Sequence, residues 1–351
     1  MSRYRRGRGA VDNPAGRFER LRLEPEPAQE AAEERPRTTF LPDASRSVLS
    51  FNASPDVAFA ASLNPYRGCE HGCAYCYARP FHEYLGLSAG LDFETRIFVK
   101  EDAPALLERA LDGPGWKPQT IALSGATDPY QPVERRLRLT RRCLEILAAR
   151  RNPVTVTTKN HLVTRDADLL AALAEVGAVS VAVSVTTLDD ALTGILEPRT
   201  SRPRRRLEAI AALADAGVPA GVWVAPVIPA VTDHELPAVV AAGAAAGAVF
   251  AGYEVLRLPH GVAGLFSSWL GVHMPDRRDK VLNRMRAMRG GGLNDARFAT
   301  RMRGEGAWAE QIAALFEVSC RRAGVRMGRP ELSAAAFRRP GGTQGSLFDK
   351  G

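Results

Sequence analysis

From about residue 55 onwards, short runs rich in β-branched residues alternate with stretches whose apolar residues recur at helical spacing. Strands that alternate with helices predict parallel βαβ units, in which the helices cover the faces of one sheet. The predicted strands are residues 61–65, 121–124, 154–158, 179–185, 221–228 and 249–256, and the predicted helices are residues 134–150, 165–176, 202–216, 233–247, 282–288 and 308–322.

Four segments of the chain differ in composition. Residues 1–46 are rich in Arg, Glu and Pro and lack sustained apolar periodicity, which predicts a disordered basic arm. The alternating strands and helices occupy residues 55–260. Residues 261–335 predict a helical extension that caps the open side of the sheet, and residues 336–351 predict a flexible tail.

Polar residues cluster where the predicted strands end. The second strand leads into residues 124–132, the third ends at residues 157–160, and the fourth runs into residues 184–187. The carboxyl ends of parallel strands lie at one edge of a barrel and carry its chemistry, so we expect these residues to surround a site. Asp128 could either hold its loop as an Asx turn or face a substrate.

Three cysteines, Cys69, Cys73 and Cys76, follow one another with C-x3-C-x2-C spacing. A [4Fe–4S] cluster has four iron corners and is normally held by four thiolates, so three cysteines leave one iron open to a small molecule. Gly68 and Gly72 permit the tight loop that would bring three thiolates to one cluster. The sequence therefore predicts an iron–sulfur site in this loop.

A zinc site and a disulfide set are the alternative interpretations. Zinc would need a fourth ligand, for which His71 and His82 are nearby candidates. Disulfides suit an oxidising compartment and usually an even number of cysteines, whereas this chain has five. The spacing favours the iron–sulfur interpretation over both alternatives.

The cysteine spacing, with Tyr75 before the last cysteine, resembles the radical S-adenosylmethionine (SAM) superfamily. Residues 58–260 resemble its spore photoproduct lyase-like branch, whose members are often labelled DNA repair photolyases, and an uncharacterised bacterial subgroup in particular. This second resemblance rests on the cysteine loop and on residues 127–132, 158–159 and 197–199.

The resemblance implies a fold and two cofactors. Six strand–helix units fit the open (β/α)6 partial TIM barrel that is typical of radical SAM enzymes. The implied cofactors are a [4Fe–4S] cluster and SAM, which binds the open iron and is cleaved to methionine and a 5′-deoxyadenosyl radical. An electron donor of the flavodoxin or ferredoxin type is implied as a partner.

The resemblance also implies roles for individual residues. Cys69, Cys73 and Cys76 would ligate the cluster. Arg199 is a candidate for the SAM carboxylate, although it could instead bridge to Asp189 or Asp190. The other implied SAM contacts are Tyr75 and Tyr77 at the adenine, Ser124 and Thr127 at the methionyl amino group, Lys159 at the carboxylate and Ser184 at the ribose hydroxyls.

The chain departs from spore photoproduct lyases at one position. Those enzymes carry a hydrogen-donating cysteine after the second strand, where this chain has Gly125 and Ala126. The two remaining cysteines, Cys143 and Cys320, lie on amphipathic stretches and are predicted to be core residues. A different substrate or a tyrosine donor is therefore expected, and the catalytic candidates are Tyr130, Tyr253 and Asp128.

The formal net charge is +8, and nearly all of the positively charged residues are arginines. Basic clusters at residues 135–138, 141–142, 150–151, 202–206 and 277–278 could bind the phosphates of DNA or RNA. They could equally be solvated helix faces, because glutamates accompany several of them.

The tail resembles the short peptide by which bacterial repair proteins dock on the sliding clamp. Gln344 would set the register, and Leu347 and Phe348 would fill an apolar pocket. A glycine tether precedes the peptide at residues 341–342.

The sequence predicts a cytoplasmic enzyme, because no apolar run approaches the roughly 20 residues that span a bilayer and the N-terminus lacks a signal-peptide pattern. The favoured function is a radical SAM lyase or base-modifying enzyme that abstracts hydrogen from a nucleic-acid base or lesion, as in DNA repair. The alternatives are radical modification of a protein or small metabolite, and a non-catalytic iron–sulfur protein that binds nucleic acid or senses redox state.

Overall fold

The computed structural model describes residues 5, 7–18 and 36–339. Its strands form two sheets, and neighbouring strands in a sheet are not always consecutive along the chain. The strands are β1 (Thr39–Pro42), β2 (Leu49–Phe51), β3 (Ala61–Leu63), β4 (Tyr66–Arg67), β5 (Arg96–Val99), β6 (Ile121–Leu123), β7 (Val154–Thr158), β8 (Val179–Ser184), β9 (Ala220–Val227), β10 (Phe250–Val255) and β11 (Arg326–Met327).

The larger sheet has the order β11-β10-β9-β8-β7-β6-β3-β2. Its neighbours are parallel from β3 to β11, and only β2 pairs antiparallel, with β3. In the part of the chain that the structure describes, the edge strands β2 and β11 do not pair with each other, so the sheet stays open. This arrangement confirms the predicted open (β/α)6 partial barrel.

Helices cover the outer face of this sheet and extend beyond its last parallel strands. Short 3-10 helices span Arg79–Leu85, His161–Asp166 and Asp233–Glu235. The α-helices are α1 (Asp92–Thr95), α2 (Ala103–Asp112), α3 (Glu134–Leu137), α4 (Leu139–Arg150), α5 (Ala167–Ala174), α6 (Asp190–Leu196), α7 (Pro203–Asp215), α8 (Leu236–Ala245), α9 (Val262–His273), α10 (Pro275–Ala287) and α11 (Ala307–Ala323).

Each of the six predicted strands is present, with ends that differ by two residues at most. The helix predicted for residues 134–150 is divided, because Arg138 takes a left-handed conformation with φ of 53° between α3 and α4. The main core lies between the sheet and its helices, where Val154 and Val156 pack with Leu144 and Leu170. Both Cys143 and Cys320 belong to this core, as the sequence predicts.

The prediction of disorder for residues 1–46 is wrong for the parts of that segment that the structure describes. Residues 39–42 form β1, which pairs with β5, and Arg8, Ala10 and Val11 are buried. Backbone N–H groups and the single polar side chains of Arg8 and Arg17, rather than apolar periodicity, hold residues 7–18, which is why the composition gave no signal. We call residues 8–11 the N-terminal strap.

The smaller sheet, β1-β5-β4, carries the cysteine loop at the end of β4. The predicted clamp peptide at residues 343–349 lies outside the described residues. Among the helices that the structure describes, none is long and apolar enough to cross a membrane.

Candidate active site

The cysteine loop leaves β4 at Gly68 and stays close to the backbone of neighbouring segments. Gly68 and Gly72 have φ of 80° and 64°, a region that favours glycine. A Cβ at Gly72 would lie 2.6 Å from Glu94 Oε2, so the loop also needs glycine for space. The Cys69 N–H donates to the Phe93 carbonyl at 2.9 Å, which fixes the start of the loop.

Gln131 and Glu70 bind the loop to the segment after β6. The Gln131 side chain accepts from the Glu70 N–H at 2.9 Å and donates to the Gly68 carbonyl at 3.2 Å. The Glu70 carboxylate accepts from the Val133 N–H at 2.7 Å in return. Through these reciprocal bonds, the segment of residues 127–132 holds the cysteine loop in place.

Arg79 stabilises the cysteine loop. Its fully buried guanidinium donates to the carbonyls of Cys73 at 2.8 Å and Gly90 at 2.9 Å, and pairs with Glu94. The Glu94 carboxylate also accepts from the N–H groups of Gly9 and Ala10 in the N-terminal strap. The strap, the cysteine loop and α1 are therefore joined through one buried ion pair.

The loop presents three thiols and no free imidazole. Cys69, Cys73 and Cys76 are not in disulfides. His71 contacts Asp128 Oδ2 at 3.3 Å and Asn160 at 3.3 Å, while the His82 ring contacts the Arg96 carbonyl at 2.9 Å. Neither histidine is left to act as a fourth ligand, so the donor set suits a cluster with one open iron better than a structural zinc site.

The thiols are not gathered around a single point. Within the described ranges, no group of three or more His, Cys, Asp or Glu side chains could hold one metal ion. The three thiolates of an iron–sulfur cluster bind three different irons, so their ligand set is wider than that of a single ion.

Lys159 lies at the carboxyl end of β7, inside a buried polar network. Its ammonium donates to Ser184 Oγ at 2.8 Å, Thr186 Oγ1 at 2.9 Å and the Ala225 carbonyl at 2.8 Å. It also lies 3.0 Å from Glu197 Oε1. The structure thus brings together Lys159 and Ser184, two of the residues predicted to contact SAM, although their polar atoms already have protein partners.

Glu197 is the centre of this network. Arg206 pairs with its second oxygen, and the hydroxyls of Tyr75 and Thr186 donate to its first oxygen. Burial opposes ionisation of this carboxylate, but the charges of Arg206 and Lys159 and the two hydroxyl bonds outweigh burial, and they hold its pKa well below the usual range. A charged Glu197 therefore fixes Tyr75 beside the cysteines.

Tyr77 and the segment after β6 form the opposite side of the strand ends. The Tyr77 hydroxyl donates to the Gly125 carbonyl at 2.5 Å. Thr127 is held by Asn64, whose side-chain oxygen accepts from the Thr127 N–H at 3.2 Å. Ser124 and Gly125 remain partly exposed, so this segment is open to a bound molecule.

Arg199 lies apart from the Lys159 network. It pairs with Glu70 at 2.9 Å and donates to Thr38 Oγ1 at 3.1 Å, on the side of the loop that faces β1. The alternative partners Asp189 and Asp190 are not the ones it takes.

Each of the three catalytic candidates is held by contacts within the protein. Asp128 forms the Asx turn, accepting from the Tyr130 N–H at 2.8 Å, and also accepts from Thr158 Oγ1 at 2.7 Å and the Lys159 N–H at 2.7 Å. Tyr130 is fully buried beneath Arg165, and Tyr253 packs on Phe316 of α11. The structure places both tyrosines in the core rather than at the strand ends.

Many of the basic clusters are neutralised within the chain. Arg141 pairs with Asp166 and Asp168, and Arg150 pairs with Asp112. All four arginines between residues 202 and 206 likewise bind acidic side chains or carbonyls. These clusters therefore offer less free charge to phosphates than the sequence alone indicates.

Sequence reasoning missed several residues that build the site. Glu197 lies in the segment of residues 197–199 that carries part of the family resemblance, but no pattern in the sequence connects it with Tyr75. Arg79, Glu94 and Arg206 are charged residues in a charge-rich chain, and only their burial reveals their role.

Comparisons with known proteins agree with this geometry. The sequence pattern of the Radical SAM superfamily matches residues 63–242. An uncharacterized protein of Mycobacterium tuberculosis is 40% identical over 232 residues, covering 65% of this chain and 68% of the relative. An uncharacterized protein of Methanocaldococcus jannaschii is 28% identical over 174 residues, covering 49% of this chain and 62% of the relative.

Among solved structures, spore photoproduct lyase complexed with dinucleoside spore photoproduct has a TM-score of 0.60 at 16% identity, covering 82% of this chain and 81% of the other. A cysteine-to-serine variant of the same lyase reaches 0.63 at 16% identity, covering 88% and 87%. At this identity the likeness shows the shared fold. The superfamily match covers half of the chain and contains all three cysteines, so this protein belongs to the radical SAM superfamily and is an enzyme whose cofactors are a [4Fe–4S] cluster and SAM.

Proposed function

We propose that this radical SAM enzyme acts by hydrogen abstraction on a base or lesion in nucleic acid. The observation that carries the proposal is the position of the cysteine loop beside the partly exposed segment after β6, which the Tyr77–Gly125 hydrogen bond joins to it. When bound, the cluster supplies the electron that cleaves SAM to methionine and a 5′-deoxyadenosyl radical. The chain's own residues hold the cofactors and bring the substrate to this edge.

Cys69, Cys73 and Cys76 are the proposed cluster ligands, because they are the three thiols of the tight loop. Tyr75, Lys159 and Ser184 are proposed to line the SAM site. The Lys159 ammonium lies 5.7 Å from the centre of the Tyr75 ring, so one small molecule can touch both residues. In this proposal Ser124 and Thr127 border SAM from β6, and Arg199 acts through the loop by pairing with Glu70.

The substrate class is supported by the fold neighbour that was solved with a dinucleoside lesion. The chain nevertheless lacks a cysteine at Gly125 or Ala126, which makes the spore photoproduct itself a poor candidate. We propose Tyr77 as the hydrogen donor at this edge, because its hydroxyl reaches the Gly125 carbonyl whereas Tyr130 and Tyr253 are buried in the core. The tyrosyl radical that remains would be returned to tyrosine by one proton from solvent and one electron from the flavodoxin or ferredoxin. A Tyr77→Phe variant should still cleave SAM but should turn over substrate more slowly.

The deciding experiment uses the full chain, reconstituted without oxygen and then reduced in the presence of SAM. We expect about four irons per chain, and 5′-deoxyadenosine whose formation is faster with damaged or modified DNA or RNA. Alanine at Cys69, Cys73 or Cys76 should abolish the cluster, whereas Cys143→Ala should retain it. Since Cys143 is a core residue, its variant is the matched control for loss of a buried thiol.

Each alternative has its own outcome in that assay. Stimulation by a peptide or a metabolite mixture, and not by nucleic acid, would replace the substrate class. A stable cluster with no SAM cleavage under any condition would indicate a non-catalytic binding or redox-sensing protein. Stoichiometric zinc without iron would contradict the cofactor assignment altogether.

Two partners belong to the same proposal. A flavodoxin or ferredoxin would supply the electron, and Gln344, Leu347 and Phe348 would dock the enzyme on the sliding clamp. The clamp contact is tested by comparing the intact chain with Leu347→Ala/Phe348→Ala in a binding assay with bacterial β clamp. Equal binding of the two proteins to the β clamp would contradict the proposed docking.

A further inference from the structure

Arg257 lies two residues beyond the end of β10, at the same edge of the sheet as the cysteine loop. Its guanidinium stacks over the Tyr77 ring, 4.1 Å from the ring centre. Tyr77 directly follows Cys76 and bonds to Gly125. The arginine is therefore part of the wall between the cysteine loop and the open segment after β6.

The charge of Arg257 is not met by a carboxylate. It takes part in no ion pair of the described residues, in contrast to Arg79, Arg199 and Arg206 around the same site. Its Nε–H is buried and has no hydrogen-bond acceptor. The acidic residue nearest along the strand, Glu254, instead accepts from Trp223 Nε1 at 3.3 Å. Arg257 as a whole is half-buried, but a buried N–H without an acceptor is rare and costly, which points to a missing partner.

A second arginine fixes the backbone that precedes Arg257. The buried guanidinium of Arg289 donates to the carbonyls of Leu256 at 2.7 Å and Val255 at 3.3 Å, and to the Arg301 carbonyl at 2.6 Å. Burial lowers the pKa of Arg289 to about 10, and the nearby positive charge of Arg257 acts in the same direction. The backbone that leads into Arg257 is thus fixed by two bonds from a buried guanidinium.

We infer that Arg257 binds a phosphate group of the substrate, next to the base that enters the site. The inference rests on the proposed nucleic-acid substrate and adds the residue that recognises its backbone. A guanidinium presents a planar fork of donors that matches a phosphate, and its plane can also stack on a base. The carboxylate of SAM is the other anion that could reach this edge, and the experiment separates the two.

The position of the proposed SAM site favours a substrate phosphate over the SAM carboxylate as the anion that Arg257 binds. Lys159, which is the proposed partner of the SAM carboxylate, lies beside Tyr75, whereas Arg257 lies beside Tyr77 and the open segment that leads to solvent. The stack on Tyr77 also directs the arginine toward the segment where the chain lacks the cysteine of its fold neighbours. An anion bound there would be held next to the proposed hydrogen donor.

The test measures binding of a fluorescent single-stranded oligodeoxynucleotide to the reconstituted full chain over a range of salt concentrations. Arg257→Gln should weaken binding by about ten- to a hundredfold, as expected for loss of a charge-assisted bond. It should also lower the slope of log affinity against log salt by about 0.7. A control is Arg326→Gln, which removes one exposed charge beside the amino end of β10 and should change neither quantity.

Oligonucleotides with a single neutral methylphosphonate linkage locate the contact. At one position in the oligonucleotide, the neutral linkage should weaken binding to the wild type. At the same position it should not weaken binding to Arg257→Gln any further. Iron content and SAM affinity should be equal in the two proteins, which shows that the cysteine loop is intact.

The other outcomes overturn the inference. If Arg257→Gln binds the oligonucleotide as the wild type does, with the same salt slope, Arg257 holds no substrate phosphate, although the proposed function stands. If the variant loses SAM affinity and keeps oligonucleotide affinity, the anion is the cofactor carboxylate. If the wild type cleaves SAM but binds no DNA or RNA, the proposed substrate class fails together with the phosphate site.

Discussion

The Tyr75 hydroxyl donates a hydrogen bond to the Glu197 carboxylate, 122 residues further along the chain. Tyr75 lies between two cysteines of the loop, and Glu197 directly follows α6, so the bond connects the loop to the far half of the barrel. A second bond, from the Ala74 N–H to the Leu196 carbonyl at 3.0 Å, runs beside it. Glu197 therefore positions the loop as well as neutralising Arg206 and Lys159.

Glu197→Gln should destabilise the protein more than loss of an ordinary hydrogen bond. The variant keeps the shape of the side chain but leaves the fully buried Arg206 without its counter-ion, which typically costs about 3–5 kcal/mol. The measurement is urea unfolding of the cluster-free protein. Glu208→Gln, which removes the partner of two exposed arginines, is the control and should cost less than about 1 kcal/mol. Equal losses in the two variants would show that Glu197 is not a structural centre.

Lys159→Met should weaken SAM binding by about one to two decades if the ammonium reaches the SAM carboxylate. The variant also removes one cation from Glu197, so a smaller loss of stability is expected as well. Comparison with Glu197→Gln separates the two effects, because that variant keeps the ammonium. Anaerobic equilibrium dialysis with SAM, at matched iron content, is the measurement. SAM affinity that falls equally in both variants would assign Lys159 a positioning role only.

The strands and the cysteine loop could be predicted because their signals are local. Runs such as residues 154–158 combine β-branched residues with alternation, and the three cysteines are defined by spacing alone. The Glu197–Tyr75 bond could not be predicted, since no local pattern connects residues so far apart. Arg257 follows a strand in an arginine-rich chain, and only the combination of its unpaired Nε–H with its stack on Tyr77 distinguishes it.

The N-terminal strap shows another limit of pattern reasoning. Its anchors include backbone N–H groups that donate to Glu94, at 3.2 Å from Gly9 and 2.7 Å from Ala10, and the guanidinium of Arg8, which donates to the Glu94 carbonyl. Backbone donors are common to every residue except proline, so the segment needs no periodic side chains to bind. A composition rich in arginine and proline then resembles that of a disordered arm.

His82 should make the stability of the cluster-free protein depend on pH between about 4 and 6.5. Burial lowers the pKa of this histidine from 6.5 to about 4 in the folded protein. Between these values the unfolded chain binds the extra proton, so the stabilisation present above pH 6.5 is lost as the pH falls. A shift of this size corresponds to roughly 3 kcal/mol. Urea unfolding at pH 7.5, 6 and 5 measures the loss, of which about 2 kcal/mol is expected by pH 5.

The variant His82→Gln removes this titration, so its stability should fall less than that of the wild type over the same pH range. Carboxylates that titrate in this range affect both proteins equally and cancel in the comparison. The exposed His234→Gln serves as the control and should follow the wild type. Parallel curves for wild type and His82→Gln would mean that the folded protein accommodates a protonated His82.

Gly9→Ala should loosen the N-terminal strap over the cysteine loop. A Cβ at Gly9 would lie 1.7 Å from the Gly72 carbonyl oxygen and 2.9 Å from the Ala74 nitrogen, and neither backbone atom can move without moving the loop. Overpacking of this kind costs about 1–3 kcal/mol. The locally open population should therefore rise roughly five- to a hundredfold, and iron should be lost to a chelator faster by the same factor.

Gly115→Ala is the matched control for this prediction, because a Cβ at that position meets nothing within 4 Å. Both variants are reconstituted without oxygen, and iron release to an excess of chelator is followed by absorbance. We expect wild-type kinetics for Gly115→Ala and faster release for Gly9→Ala, with slower release again when SAM is present, because a ligand that binds the folded site opposes opening. Identical rates in all three proteins would show that the strap covers the loop without limiting access to the cluster.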